Sequence, residues 1–194
     1  MPAGKATLGT PGNTDDEKEH AYETKGFWLG KYEVTQEQWQ AVMGADPSHF
    51  KGAKLPVEKV SWEDCQKFLK KCGVKGLRLP HEDAWEYAYR GGKGNKQAYY
   101  WGDTLNDQAN NGSAKTTEVG SYESKAKHPW GLCDMSGNVW EWCDNLHSVG
   151  GSTLVVRSGS WSSGSYYCRA ACRFNYEPGY RSFSVGFRVL LGLD

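Results

Sequence analysis

No run in this 194-residue chain approaches the roughly eighteen apolar residues that a membrane-spanning helix needs. An excess of charge is missing as well. Lys plus Arg and Asp plus Glu number 23 each, so no global field draws the chain to nucleic acid or to an anionic membrane. The six cysteines (Cys65, Cys72, Cys133, Cys143, Cys168 and Cys172) contain no CxxC spacing, which removes the usual zinc and redox motifs. They are left as buried free thiols or one disulfide. The five histidines are scattered, without an HxxxH pair. The opening MPAGKATLGTPGN has neither a basic nor an apolar signal region, so no signal peptide is expected within it. Lysine itself disappears after Lys127, although sixteen precede that point.

Large rings and flexible links are plentiful instead. Nine Trp, eleven Tyr, 24 Gly and 7 Pro describe a loop-rich chain that buries aromatic side chains. The polar arm from Met1 to about Thr24 is expected to enter a sheet near its start and to be mobile around Thr14 to His20. GFWLGKYEVT reads as a strand. Thr35 and Gln38 form a capping box that opens the helix QEQWQAVMG, and Gly44 stops it. Ser61 and Asp64 do the same for WEDCQKFLKKC, which ends at Gly73 with Trp62, Cys65, Phe68 and Leu69 on one face. A third helix follows Pro80, in HEDAWEYAYRGG. Helices first and short strands afterwards predict an α+β domain spanning residues 1–194.

The tract from Arg157 to Arg188, RSGSWSSGSYYCRAACRFNYEPGYRSFSVGFR, has the composition of a paratope. Tyr and Phe alternate with Ser, Gly and Asn, which joins rigid contact area to adaptable hydrogen bonding. Arg157, Arg169, Arg173, Arg181 and Arg188 punctuate it. A guanidinium repeated among aromatics usually stacks on them or satisfies loop carbonyls, so these arginines are read as scaffold. Trp140, Trp142 and Trp161 are read as core.

Five ordered motifs, GKYEVTQEQW, PVEKVSWEDC, LRLPHEDAWEYAYRGG, GLCDMSGNVWEWC and GSW…CR…R…GFRV, resemble the formylglycine-generating-enzyme (sulfatase-modifying-factor) domain over nearly the whole chain. That family has a C-type-lectin-like fold, loop-rich with short antiparallel strands and two to three helices. Its oxidases use two cysteines and copper. Here the first of those positions falls on Ser163 and only the second, Cys168, is cysteine. A hydroxyl cannot supply the soft thiolate that copper prefers, so no copper and no catalysis are expected. Iron-dependent sulfoxide synthases of the same fold need a histidine triad that the scattered histidines do not provide. The family also implies calcium at Asp134, Glu141 and the carbonyls of Gly137 and Val139, where hard oxygen donors suit that ion. Asn110 and Asn111 match part of a second such site, and Cys143 and Cys168 are expected to lie near each other.

A third branch resembles this tract better: the variable proteins of diversity-generating retroelements, whose chosen codons are rewritten at adenines. On that pattern the ligand-binding variable positions are Ser162, Ser163, Gly164, Tyr167, Cys172, Phe174, Asn175, Tyr176, Tyr180, Ser182, Phe183 and Ser184. Rewriting AAY codons cannot yield Lys, Glu, Gln, Met or Trp. Those five types make up 47 of the 194 residues, and none stands at the twelve positions. The resemblance therefore implies a non-catalytic display protein, monomeric, at a bacterial cell surface or exported. It would bind a protein or cell-surface ligand, and would meet a membrane only through a lipid anchor outside this chain. A formylglycine-generating-type oxidase and a fixed-sequence lectin-like or regulatory domain are the alternatives.

Overall fold

The computed structural model describes residues 1–12, 18–94 and 96–193. Its first elements are the hairpin of β1 (Gly4–Leu8) and β2 (His20–Thr24), paired antiparallel with Gly4 opposite Thr24. Of the arm expected to be mobile, Thr14 to Glu17 lie outside the described residues, and by His20 the chain is in β2. The strand expected over GFWLGKYEVT is confined to β3 (Phe27–Leu29). At Gly30 the backbone bends close to the Tyr32 carbonyl, 3.2 Å from where a Cβ would sit, which ends the extended run.

The three helices start where their side chains satisfy the free N–H groups of the first turn. α1 (Gln36–Met43) has the complete Thr35/Gln38 capping box and stops at left-handed Gly44. α2 (Trp62–Cys72) has the Ser61/Asp64 box and stops at left-handed Gly73. β4 (Leu77–Arg78) then leads to α3 (Glu82–Tyr89), capped by the His81 side chain. After a long irregular stretch come β5 (Trp140–Leu146), β6 (Leu154–Arg157), β7 (Phe174–Tyr176), β8 (Val185–Gly186) and β9 (Leu190–Gly192). A single 3-10 turn, Ser165–Cys168, precedes β7.

One sheet runs β3-β9-β4 and the other β7-β6-β5-β8, with β5 and β8 parallel and the remaining pairs antiparallel. This is the α+β, C-type-lectin-like arrangement. One core cluster gathers Trp39, Phe68, Val60, Trp142 and Phe187, and the other Leu8, Phe27, Trp85, Tyr89 and Leu190. Trp39 stacks on Phe68 with centroids 5.3 Å apart, which locks α1 to α2. All six cysteines are free thiols and five are buried.

A candidate ligand-binding surface on an arginine framework

The tract from 157 to 188 alternates between residues that enter the protein and residues that leave it. Arg157, almost fully buried, donates from Nη1 to the carbonyls of Ala171 and Cys172 and from Nη2 to Ala170 and to Glu86 Oε2, at 2.6–3.0 Å. It thus clamps the chain just before β7 from beneath. Glu86 is shared with Arg90, whose Nε donates to Oε1 at 2.8 Å. Burial alone would raise the Glu86 pKa; Arg157 and Arg90 outweigh it and hold the carboxyl below its ordinary range. Arg173 reaches Glu82 and the His147 carbonyl, Arg181 reaches Asp64 at the start of α2, and Arg169 lies 3.9 Å over the Tyr166 ring. The scaffold role expected of these arginines is what their contacts describe.

The twelve expected contact positions divide unequally. Ser162, Gly164, Tyr167, Phe174, Tyr180 and Phe183 are exposed, and Ser163, Asn175, Tyr176, Ser182 and Ser184 are half-buried. The four exposed rings keep 41–47% of their surface free. Cys172 departs from the expectation. It is only 3% exposed and packs in the core with Trp142 and Val156, because the carbonyl clamp of Arg157 turns this segment inward. It contributes no contact surface.

Backbone groups, rather than side chains, hold many of these positions. The carbonyls of Ser163, Ser182 and Ser184 accept from Gly112, Lys59 and Trp140 at 2.8–3.0 Å, and Phe174, Asn175 and Tyr176 pair with Val156, Val155 and Leu154 in the β6–β7 ladder. Every residue type carries a backbone carbonyl, so these anchors do not depend on the side chain displayed.

Rings beyond the twelve positions join the surface. Trp161, expected as core, is half-buried and stacks on Phe183 at 5.8 Å, with its indole N–H donated to the Phe183 carbonyl. Phe50 packs edge-on against Trp161, and His49 lies 5.7 Å from Phe183. The backbone N–H groups of His49 and Phe50 both donate to the buried Glu58. No periodic pattern marks the segment SHF, so sequence reasoning missed both residues. Trp140 and Trp142 are buried, as expected of core.

Cys168 and Ser163 occupy the positions where the family's oxidases carry paired cysteines. Cys168 is fully buried, and its thiol is pushed up to about 12 by burial. The Ser163 hydroxyl instead meets the backbone N–H and hydroxyl of Ser160, both at 3.0 Å. A thiol held protonated inside the protein is a poor nucleophile and a poor ligand for a soft metal. Cys143 packs in the cluster around Leu8 and Trp85, and no disulfide links it to Cys168.

Three of the four residues expected to hold calcium have protein partners. Glu141 accepts from Arg188 on both oxygens, at 2.6 and 2.7 Å, and from the Trp85 indole at 2.7 Å. The Gly137 carbonyl accepts from Ser158, and Asp134 Oδ2 from the Gly120 N–H. Among the described residues no group of three or more His, Cys, Asp or Glu side chains is gathered as a metal cage. Of these residues Glu141 already has a cation on both oxygens, the Arg188 guanidinium. Glu33, buried nearby without a hydrogen-bond partner, is pushed well above the carboxylate range by burial and by the charges of Asp134 and Glu141.

A family model for the sulfatase-modifying factor enzyme 1-like domain matches residues 1–193. The chain belongs to this family. Treponema denticola variable protein 1 superposes on it with a TM-score of 0.88 at 29% identity, over 100% of this chain and 94% of that one. The formylglycine-generating enzyme of Streptomyces coelicolor is 32% identical over 87% of this chain and 62% of its own length. The inactive C-alpha-formylglycine-generating enzyme 2 of Mus musculus is 31% identical over 77% and 53%. The chain thus spans about half to two-thirds of those two curated relatives. Sulfatase-modifying-factor-like proteins on both sides of the catalytic divide share this scaffold, so residues rather than fold must decide the function.

Proposed function

We propose that this chain is a non-catalytic ligand-binding display protein whose surface between residues 157 and 188 is diversified by a retroelement. The observation that carries the proposal is the interleaving itself. Eleven of the twelve positions leave the core, while Cys168 among them and Arg157 and Arg188 at the two ends are buried in it, and Arg173 and Arg181 are tied to Glu82 and Asp64. Rigid scaffold and variable contact residues are thereby separated within one tract, so substitution at the contacts costs little stability. The likeness to Treponema denticola variable protein 1 supports the same reading. The ligand is a protein or other cell-surface structure met by neutral rings and hydroxyls, and the protein acts at a bacterial surface or after export.

Glu177 bounds the variable set. It stands among these positions, exposed, yet rewriting an AAY codon cannot produce glutamate, so it belongs to the framework. The test begins with the gene. A neighbouring reverse transcriptase, with a near-copy of the codons for residues 162–184 differing at adenines, is the expected finding. Two chains differing only at the eleven positions should then melt together and select different ligands from a displayed library. Identical selections from both chains would overturn the proposal.

Oxidase activity is the rival reading, and the buried Cys168 thiol, with a serine at 163 in place of a second cysteine, weighs against it. Incubation with copper and a CxPxR peptide, followed by mass spectrometry, should leave the substrate thiol intact. Conversion of that thiol to an aldehyde would establish the enzyme instead.

A further inference from the structure

The β3-β9-β4 sheet has one face on the core and, over β3 and β9, one face open. Phe27, Leu29 and Leu190 point inward and are at most 8% exposed. Trp28, between the first two, is 64% exposed. The pairing register places Trp28 opposite Leu191, and Leu191 opposite Leu77, so the three form a row across the strands, open at Trp28 and half-buried at Leu77, which packs against the cluster of Trp39 and Phe68. Leu193 extends the row along β9, and Val74 flanks Leu77; both are about half exposed.

Cations without partners border this row. Lys25 is exposed and adjoins Gly26, whose Cβ position is 3.2 Å from a Leu193 methyl group. Lys70, Lys71 and Lys75 are exposed where α2 ends and β4 approaches. No acidic group lies within ion-pair distance of any of the four among the described residues, whereas Lys5 and Lys67 pair with Glu23 and Asp64. A net charge of zero therefore conceals a locally basic, aromatic face.

We propose that this face docks on an anionic lipid surface. An indole prefers the boundary between headgroups and acyl chains, and lysines can lay their stems on apolar surface while keeping the ammonium among lipid phosphates. Each lysine near an anionic leaflet adds attraction, and the leucines add apolar burial.

The orientation supplies a reason for such docking. α2 begins against the variable tract, where the Glu63 N–H donates to the Pro178 carbonyl and Arg181 pairs with Asp64. It ends at Lys70 and Lys71. Eleven residues at about 1.5 Å each put these ends roughly 16 Å apart. A membrane on the basic face would leave the variable surface pointing away from it. This consequence for display rests on the proposed function; the docking does not.

The test is co-sedimentation of the chain with vesicles of phosphatidylcholine, with and without phosphatidylglycerol, at low and high salt. We expect binding to the anionic vesicles alone, release by salt, and a blue shift of tryptophan emission on binding. Trp28→Ser should lose that shift and most of the binding. Lys70→Gln/Lys71→Gln/Lys75→Gln should bind at least about tenfold more weakly. Circular dichroism spectra matching the parent would show that these exposed changes leave the fold intact. Failure to bind anionic vesicles, or wild-type binding by both variants, would overturn the proposal. So would a dimer seen by ultracentrifugation that Trp28→Ser abolishes, if vesicles recruit nothing; the face would then be a contact between copies.

Discussion

Arg188 and Glu141 meet fork to fork with neither side chain exposed: Nε donates to Oε2 at 2.6 Å and Nη2 to Oε1 at 2.7 Å. The remaining guanidinium nitrogen, Nη1, donates to the carbonyls of Gly30 and Lys31. One side chain thus ties the end of the 157–188 tract to β5 and to the turn after β3.

Lysine cannot reproduce that fork. Arg188→Lys leaves Glu141 with one point-like partner and loses the fork that serves four loop carbonyls, those of Gly30, Lys31, Cys133 and Asp134, and Arg188→Met leaves a buried carboxylate without its cation. Each should cost about 3–5 kcal/mol, with Met the worse, read as a lowered urea midpoint at unchanged slope. A midpoint equal to the parent's for Arg188→Lys would mean that the pair does not hold the fold.

Substitutions between residues 157 and 188 should split by burial. Phe174→Ser, Tyr180→Asn and Phe183→Ser change exposed groups and should each cost less than about 1 kcal/mol. Cys172→Asn places an amide among Trp142 and Val156, where it finds no ready partner, and should cost about 2–4 kcal/mol. Thermal melts of the four variants separate the two classes. Equal shifts would remove the distinction between contact and framework positions.

His128 should make stability pH-dependent. It is buried and neutral: Nδ1 accepts from the Trp130 N–H, so Nε2 carries the proton donated to the Tyr89 carbonyl. Burial pushes its pKa down to about 4. Above about pH 6.5 neither folded nor unfolded chain protonates it; below that value the unfolded chain does, and stability falls by about 3 kcal/mol on reaching pH 4. Asp134 and Glu58, raised to about 6 and about 7 mainly by burial, act oppositely, because their contribution is lost as pH rises through those values. Subtracting the pH–stability curve of His128→Gln isolates the histidine. A difference that stays flat between pH 4 and 7 would contradict its neutral, buried state.

Calcium offers a further check. With both Glu141 oxygens on Arg188, the melting temperature in millimolar calcium should match that in a chelator to within about a degree. A rise of several degrees would show that calcium displaces the guanidinium.

Much of this was legible in local sequence. Thr35 with Gln38 and Ser61 with Asp64 predicted the starts of two helices, because a capping box involves four consecutive residues. The ring-and-hydroxyl tract predicted a surface. Cys172 was misplaced because its neighbours carry the same small and aromatic types; the inward turn comes from Arg157, fifteen residues earlier. Trp161 was misread as core for a related reason. Its partners, Phe50 and Phe183, come from distant segments.

By itself, then, the sequence determined the helices, the α+β class and the interleaving of arginines with rings and hydroxyls over residues 157–188, since these follow from spacing and residue chemistry. Only the tertiary structure decided which of the twelve positions reach solvent, that Glu141 faces Arg188, and that Trp28 stands exposed opposite Leu191 on the open face of its sheet. Each of those depends on where remote segments cross, and burial and charge pairing are set at the crossings.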